Sequence, residues 1–261
     1  MESLINEKTR AILVNNPGNP CGNVFSRDHI LDILEIAERH QLPIIADEVY
    51  EFMTFSGVEF HSVASLSKNV PVLTCSGLTK RFLMPGIRMG WIIINDGGHN
   101  LDEIRGGLAN IAGRNFGPNS TVQLALPEIL KNVPQTFFEE SVLRLEVLMN
   151  TFYLHFNYCN LAFQRHAKTV FNLLKNVPGL CPKNPQGTFY MMVEIDHLKL
   201  PNLFSCLEFM RRLAMEQSVF VFPGECFNYC GYFRIALAAP ERILIDACLR
   251  IREFCEKYYE E

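Results

Sequence analysis

Asn19, Asp47, Tyr50, Lys80, Arg88 and Arg234 are the side chains whose types and spacing could do chemistry. A lysine amine is a nucleophile toward carbonyl groups, and a neighbouring acid or phenol can hold or pass a proton. A guanidinium grips carboxylate or phosphate with two parallel donors. Such a set could surround one small anionic molecule. Taken singly, each residue also has an ordinary reading. Asn19 can fill a turn, Asp47 can cap a helix, and Tyr50 can be a half-buried wall. Lys80 beside Arg81 can be a solvated pair of cations, and Arg88 and Arg234 can be surface charges. A motif becomes a site only in a structural context that brings its members together.

The elements that must position these residues are legible as patterns. Ala11–Val14 is a short apolar run stopped by Asn15-Asn16-Pro17-Gly18-Asn19-Pro20, a strand entering a turn. Ser26 is a helix cap with Asp28 in the first turn, and Ile30, Ile33, Leu34 and Ala37 recur at helical spacing. Pro43–Ala46 is the next strand and ends at Asp47. Strand, helix and strand in so short a stretch predict a parallel βαβ unit. Val72–Cys75 and Met89–Ile94 read as two further strands. In open parallel sheets ligands gather at the carboxyl ends of the strands, which is where Asn19, Asp47, Tyr50 and Lys80 fall. Nothing comparable follows the fourth strand. From about Asn100 to Val177 the pattern is helical. Beyond it, Thr188–Ile195, Val219–Phe222 and Tyr232–Ala236 read as strands, with helices over Leu203–Gln217 and Glu241–Tyr258.

Composition narrows the classes. The chain has 261 residues, 48% apolar and 20% charged, with a net charge of −4. That is ordinary for a globular protein and gives no electrostatic reason to expect nucleic acid. Nine cysteines without C-x-x-C pairs fit reduced thiols rather than a disulfide framework or a metal site. No apolar run reaches membrane-spanning length, and the polar start reads as neither signal nor transit peptide, so the cytoplasm is the expected compartment. Mitochondria stay open should another N-terminus precede Met1. No G-x-G-x-x-G or Walker-type glycine loop follows a strand, which disfavours a generic nucleotide-binding protein.

The spaced set Asn16-Pro17-x-Asn19-Pro20-x-Gly22, Asp47-x-x-Tyr50, Ser76-x-x-x-Lys80 and Pro85-Gly86-x-Arg88-x-Gly90-Trp91, with Phe233-Arg234-Ile235, resembles the class I/II aminotransferases. These are pyridoxal 5′-phosphate (PLP) enzymes of fold type I. Within that class the chain is similar to the tyrosine aminotransferase branch, through Asn15-Asn16-Pro17-x-Asn19-Pro20-Cys21-Gly22, Thr79-Lys80-Arg81, Glu216-Gln217-Ser218-Val219 and Glu253-Phe254-Cys255-Glu256.

The resemblance implies an α/β fold: part of a large, mostly parallel PLP-binding domain followed by a smaller α+β C-terminal domain. It implies boundaries at 1–143, an interdomain helix over 144–176 and the small domain over 177–261. It implies that Lys80 holds PLP through its amine and moves the substrate proton. Asp47 pairs with the ring nitrogen, Tyr50 and Asn19 with the phenolic oxygen, and Arg88 with the phosphate. Arg234, with Asn19, receives the substrate carboxylate. The implied reaction is transamination of tyrosine, and of other aromatic amino acids, with 2-oxoglutarate in a homodimer. An alanine- or kynurenine-type aminotransferase and a catalytically inert fragment are the alternatives. Neither a membrane nor a nucleic acid is expected as a partner.

Three departures from the pattern stand out. Many relatives carry serine where this chain has Gly77, with Ser76 or Thr79 available to compensate. The strands and the phosphate loop that precede the first strand in relatives lie before Met1, so the chain reads as N-terminally truncated, with both outer sheet edges unpaired. Val147–Gln164 carries no Asp, Glu, Lys or Arg and interrupts the helix joining the domains. As straight helix it would add about 27 Å. It reads either as a looped-out insertion or as an intron retained in frame.

Overall fold

The computed structural model describes residues 1–98, 101–114, 117–134, 136–137 and 159–260. Two compact units emerge. The first takes Met1–Pro17, Val24–Thr54 and the chain from Glu59 through the central helices, and the second takes Gly18–Asn23, Phe55–Val58 and the C-terminal part.

The first unit is built on a sheet of β1 (Ile12–Asn15), β2 (Ile44–Asp47), β3 (Val72–Gly77) and β4 (Gly90–Asn95), in that spatial order. The first three are parallel, as the βαβ pattern requires, and β4 runs antiparallel to β3. That reversal puts the carboxyl end of β4 at the opposite rim, which explains why no chemical residue follows it. Helix α1 (Arg27–Arg39) starts at Ser26, whose hydroxyl accepts the His29 N–H at 3.2 Å. Its Ile30, Ile33, Leu34 and Ala37 are buried against Ile12, Val14, Ile44, Ala46 and Val72. Each isoleucine, leucine or valine among them contributes roughly 1.5–3 kcal/mol on burial. A short helix, α2 (Val63–Leu66), lies on the same core.

The other face of this sheet alternates out of that core. Leu13, Ile45, Leu73 and Ile94 form one cross-strand row and Asn15, Asp47, Cys75 and Ile92 the next. Leu13 is 71% exposed and Ile92 44%. Among the described residues β1 and β4 each pair on one side only. The central helices α3 (Asp102–Arg114) and α4 (Ser120–Asn132) follow, the latter capped by Asn119, which accepts from Thr121 and Val122.

Gly77 finds its reason here. It stands opposite Gly90, and a Cβ at 77 would lie 2.8 Å from the Met89 carbonyl oxygen and 3.0 Å from the Gly90 Cα. Both neighbours are backbone and cannot yield cheaply. Gly77→Ser is therefore expected to cost about 1–3 kcal/mol, read as a fall in the urea midpoint with unchanged slope. The Ser76 hydroxyl beside Gly77 donates to Glu51 Oε1 at 3.3 Å.

The second unit has an antiparallel sheet of β5 (Leu180–Pro182), β6 (Tyr190–Ile195), β8 (Tyr232–Ala236) and β7 (Phe222–Pro223), in that order. Helices α5 (Cys159–Leu174), α6 (Cys206–Gln217) and α7 (Glu241–Tyr258) complete it. Phe209 and Phe233 stack at 5.2 Å, Phe254 meets Phe209 edge-on at 5.3 Å, and all three rings are inaccessible to water. The pattern places α6 three residues too early. Ser205 accepts the Glu208 N–H at 3.1 Å and so fixes the start at Cys206. Strand β5 is too short for its pattern to register, and the expected strand from Val219 narrows to Phe222–Pro223. Of the uncharged stretch 147–164, residues 147–158 lie outside the described residues and the rest opens α5. The cysteines whose side chains are described are free thiols.

Candidate active site

In the first unit the strand ends carry Asp47, Tyr50 and Lys80. Asp47 closes β2 between Asn15 of β1 and Cys75 of β3. Its carbonyl accepts the Asn16 N–H at 3.1 Å and Asn15 Nδ2 at 3.2 Å, and its Oδ1 accepts the Val49 N–H at 3.3 Å. The carboxylate is thus held at a strand terminus rather than left to a mobile loop. Its charge, second to burial, raises the pKa of the neighbouring Cys75 thiol. Tyr50 is 3% exposed. The Lys80 ammonium lies over its ring, 5.5 Å from the centroid, a cation–π contact that holds the amine at the rim. Lys80 follows β3 in a turn closed by Leu83 N–H to the Lys80 carbonyl at 3.0 Å and Met84 N–H to the Leu78 carbonyl at 3.0 Å.

Arg88 keeps different company. It is exposed, sits in the left-handed region at φ 56°, and donates to the Pro85 carbonyl at 3.0 Å.

Glu48, next to Asp47, points into the core side and is 1% exposed. Its Oε1 accepts the Val63 N–H at 2.8 Å and so holds the start of α2. Burial raises its pKa, against hydrogen bonds from Val63 and Ser62 that lower it. Because the folded state prefers the protonated acid, its contribution to stability is complete below the ordinary carboxylate value of 4.5 and is lost as pH rises through the raised value. Glu48→Gln is expected to flatten this part of the stability profile, measured as urea midpoints across mildly acidic to neutral pH.

The second unit holds Asn19 and Arg234. Arg234 lies on β8, is 9% exposed, and its Nη1 donates to Asn19 Oδ1 at 2.6 Å. Three rings surround the guanidinium: Tyr190 at 4.1 Å, Phe227 at 4.4 Å and Phe222 at 4.9 Å. An arginine so caged keeps its orientation. Asn19 follows β1 in sequence yet belongs to this unit because of Gly22. The Gly22 carbonyl accepts the Gln186 N–H at 2.7 Å and the Gly187 N–H at 2.9 Å. Its φ is +67°, and a Cβ would fall 2.6 Å from Pro185. Only glycine fits, and the loop carrying Asn19 is thereby pinned to the strand region that faces Arg234.

The caging rings and Glu51 were not singled out from the sequence. Tyr190 and Phe222 have a signal in retrospect, since both share the alternation of strands that flank Arg234. Among the described residues no cluster of three His, Cys, Asp or Glu could hold a metal ion, and no helix is long and apolar enough to cross a membrane.

The first unit thus carries a lysine, an acid and a phenol at the carboxyl ends of parallel strands, and the second unit carries a caged arginine on its antiparallel sheet. The chain belongs to the aminotransferase class I and II family, whose pattern matches residues 1–250. It is 42% identical over 260 residues to tyrosine aminotransferase of Mus musculus, covering 99% of this chain and 53% of the relative. The solved structure of tyrosine aminotransferase from Leishmania infantum superposes with a TM-score of 0.86 at 32% identity, covering 99% of this chain and 59% of that one. Alanine aminotransferase from Pyrococcus furiosus gives 0.84 at 27% identity, over 98% of this chain and 60% of that one. The chain spans about half the length of the curated relatives it matches.

Proposed function

We propose that this protein is a PLP-dependent aminotransferase acting on tyrosine, and on other aromatic amino acids, with 2-oxoglutarate as amino acceptor. The observation that carries the reading is the Lys80 amine held over Tyr50 beside the strand that ends in Asp47. The donor set fits PLP: an amine for its aldehyde, an acid for its ring nitrogen, a phenol for its oxygen and guanidinium groups for its phosphate and the substrate.

When bound, PLP supplies an electron sink for the carbanion that forms at the substrate Cα. The chain's own groups do the rest. Lys80 would anchor the cofactor through its amine and, as a neutral amine, would take the Cα proton. Asp47 would keep a proton on the ring nitrogen. Tyr50 and Asn19 would hydrogen-bond the phenolic oxygen, Arg88 would pair with the phosphate, and Arg234 would grip the α-carboxylate so that the Cα–H bond is the one presented for cleavage. A homodimer in the cytoplasm completes the proposal.

Titration of the purified chain with PLP, followed by L-tyrosine and 2-oxoglutarate, tests it. The expected result is a yellow absorbance band, then formation of 4-hydroxyphenylpyruvate and glutamate. Soluble, folded protein that gives no band overturns it. That outcome is the second reading, a chain that keeps the fold without holding PLP.

A further inference from the structure

Two short segments, 50–52 after β2 and 80–81 after β3, meet. The Lys80 amine lies over the Tyr50 ring at 5.5 Å. One residue on, the Arg81 guanidinium lies over Phe52 at 4.5 Å and its Nη1 is 3.6 Å from Glu51 Oε1. That same carboxylate oxygen accepts the Ser76 hydroxyl at 3.3 Å. Glu51 therefore touches the strand before Lys80 and the residue after it. The opposite side of the turn is closed by its own backbone, through the Leu83 and Met84 N–H groups. A lysine has four rotatable bonds, so the placement of its amine depends on how firmly its backbone is held. The Glu51 and Arg81 side chains are 21% and 26% exposed, partly shielded but within reach of solvent screening.

We propose that Glu51 is a positioning residue for Lys80, fixing the turn that carries the amine through Arg81 and Ser76. The inference rests on the reading of Lys80 as the PLP lysine. It adds a residue outside the motif set, and one that makes no contact with the reacting atoms itself. Its charge suits the role: a carboxylate one residue from the phenol pairs with the guanidinium of the residue that follows Lys80.

The test uses the full chain and PLP itself. PLP is added at limiting concentration, borohydride fixes the linkage, and peptide mass spectrometry reports which lysine is labelled and how fast. In the wild-type chain the label is expected at Lys80. Glu51→Gln is expected to slow labelling at Lys80 by about two- to fivefold, the range of a partly exposed ion pair, while labelling of other lysines and the thermal midpoint stay unchanged. Arg81→Met should give a similar loss, and the double variant no further loss, because the two act as one unit. Glu51→Asp, which keeps the charge, should recover part of the rate. Wild-type-like labelling at Lys80 in folded Glu51→Gln overturns the positioning role and leaves the PLP reading standing. Should Glu51→Gln fail to fold, Arg81→Met decides on the same criterion. Wild-type protein that takes no label at Lys80 overturns both.

Discussion

Lys80→Ala is expected to abolish the yellow PLP band and to reduce transamination by a factor on the order of 10²–10⁴, the contribution of a positioned general base. On the proposed reading two functions are lost together, since the amine would both anchor the cofactor and move the proton. The fold should survive. Lys80 is only partly buried, and the turn around it is closed by main-chain hydrogen bonds that alanine keeps. Circular dichroism and the urea midpoint should therefore match the wild type. Lys80→Arg separates charge from nucleophilicity: it preserves a cation over the Tyr50 ring yet should give the same loss. Retention of the band in either variant would mean that another lysine holds PLP.

Arg234→Met should leave PLP capture at Lys80 intact and raise the KM for the amino acid by about 10- to 100-fold, as expected for loss of a bidentate charged contact. Methionine follows the arginine stem through the cage of Tyr190, Phe222 and Phe227 but brings no donor. Arg234→Lys should not restore activity, since a single ammonium cannot reproduce the planar fork. Stability is expected to hold or rise, because a buried guanidinium carries a desolvation cost that a thioether does not. An unchanged KM in Arg234→Met, with the protein folded, would remove the arginine from substrate recognition.

Legibility in the sequence followed the range of the interactions. Helix α1 was readable to its cap, because Ser26 and the spacing of Ile30, Ile33, Leu34 and Ala37 are local signals. The strands of the first unit were readable because each is a short apolar run ended by turn residues. Their carboxyl rim was readable once the parallel order was inferred, and with it Asp47, Tyr50 and Lys80. The antiparallel direction of β4 was not, since nothing within Gly90–Asn95 encodes which way its neighbour runs. The attachment of Asn19 to Arg234 follows from the family resemblance and not from the residue pattern. It depends on Gly22 meeting Gln186 and Gly187, partners far away in sequence that periodicity cannot connect. Glu51 escaped notice for a similar reason: its meaning lies in the meeting of residues 50–52 with 80–81, which exists only after folding.

The outer strand β4 has a practical bearing on handling the protein. Gly90-Trp91-Ile92-Ile93-Ile94-Asn95 contains no charge and no proline, and Ile93 is 57% exposed. Uncharged, β-prone rims of this kind recruit further chains. Loss of soluble material should then accelerate faster than linearly with protein concentration, and Ile93→Lys, at this exposed side chain, should slow it without touching the rim where Lys80 sits.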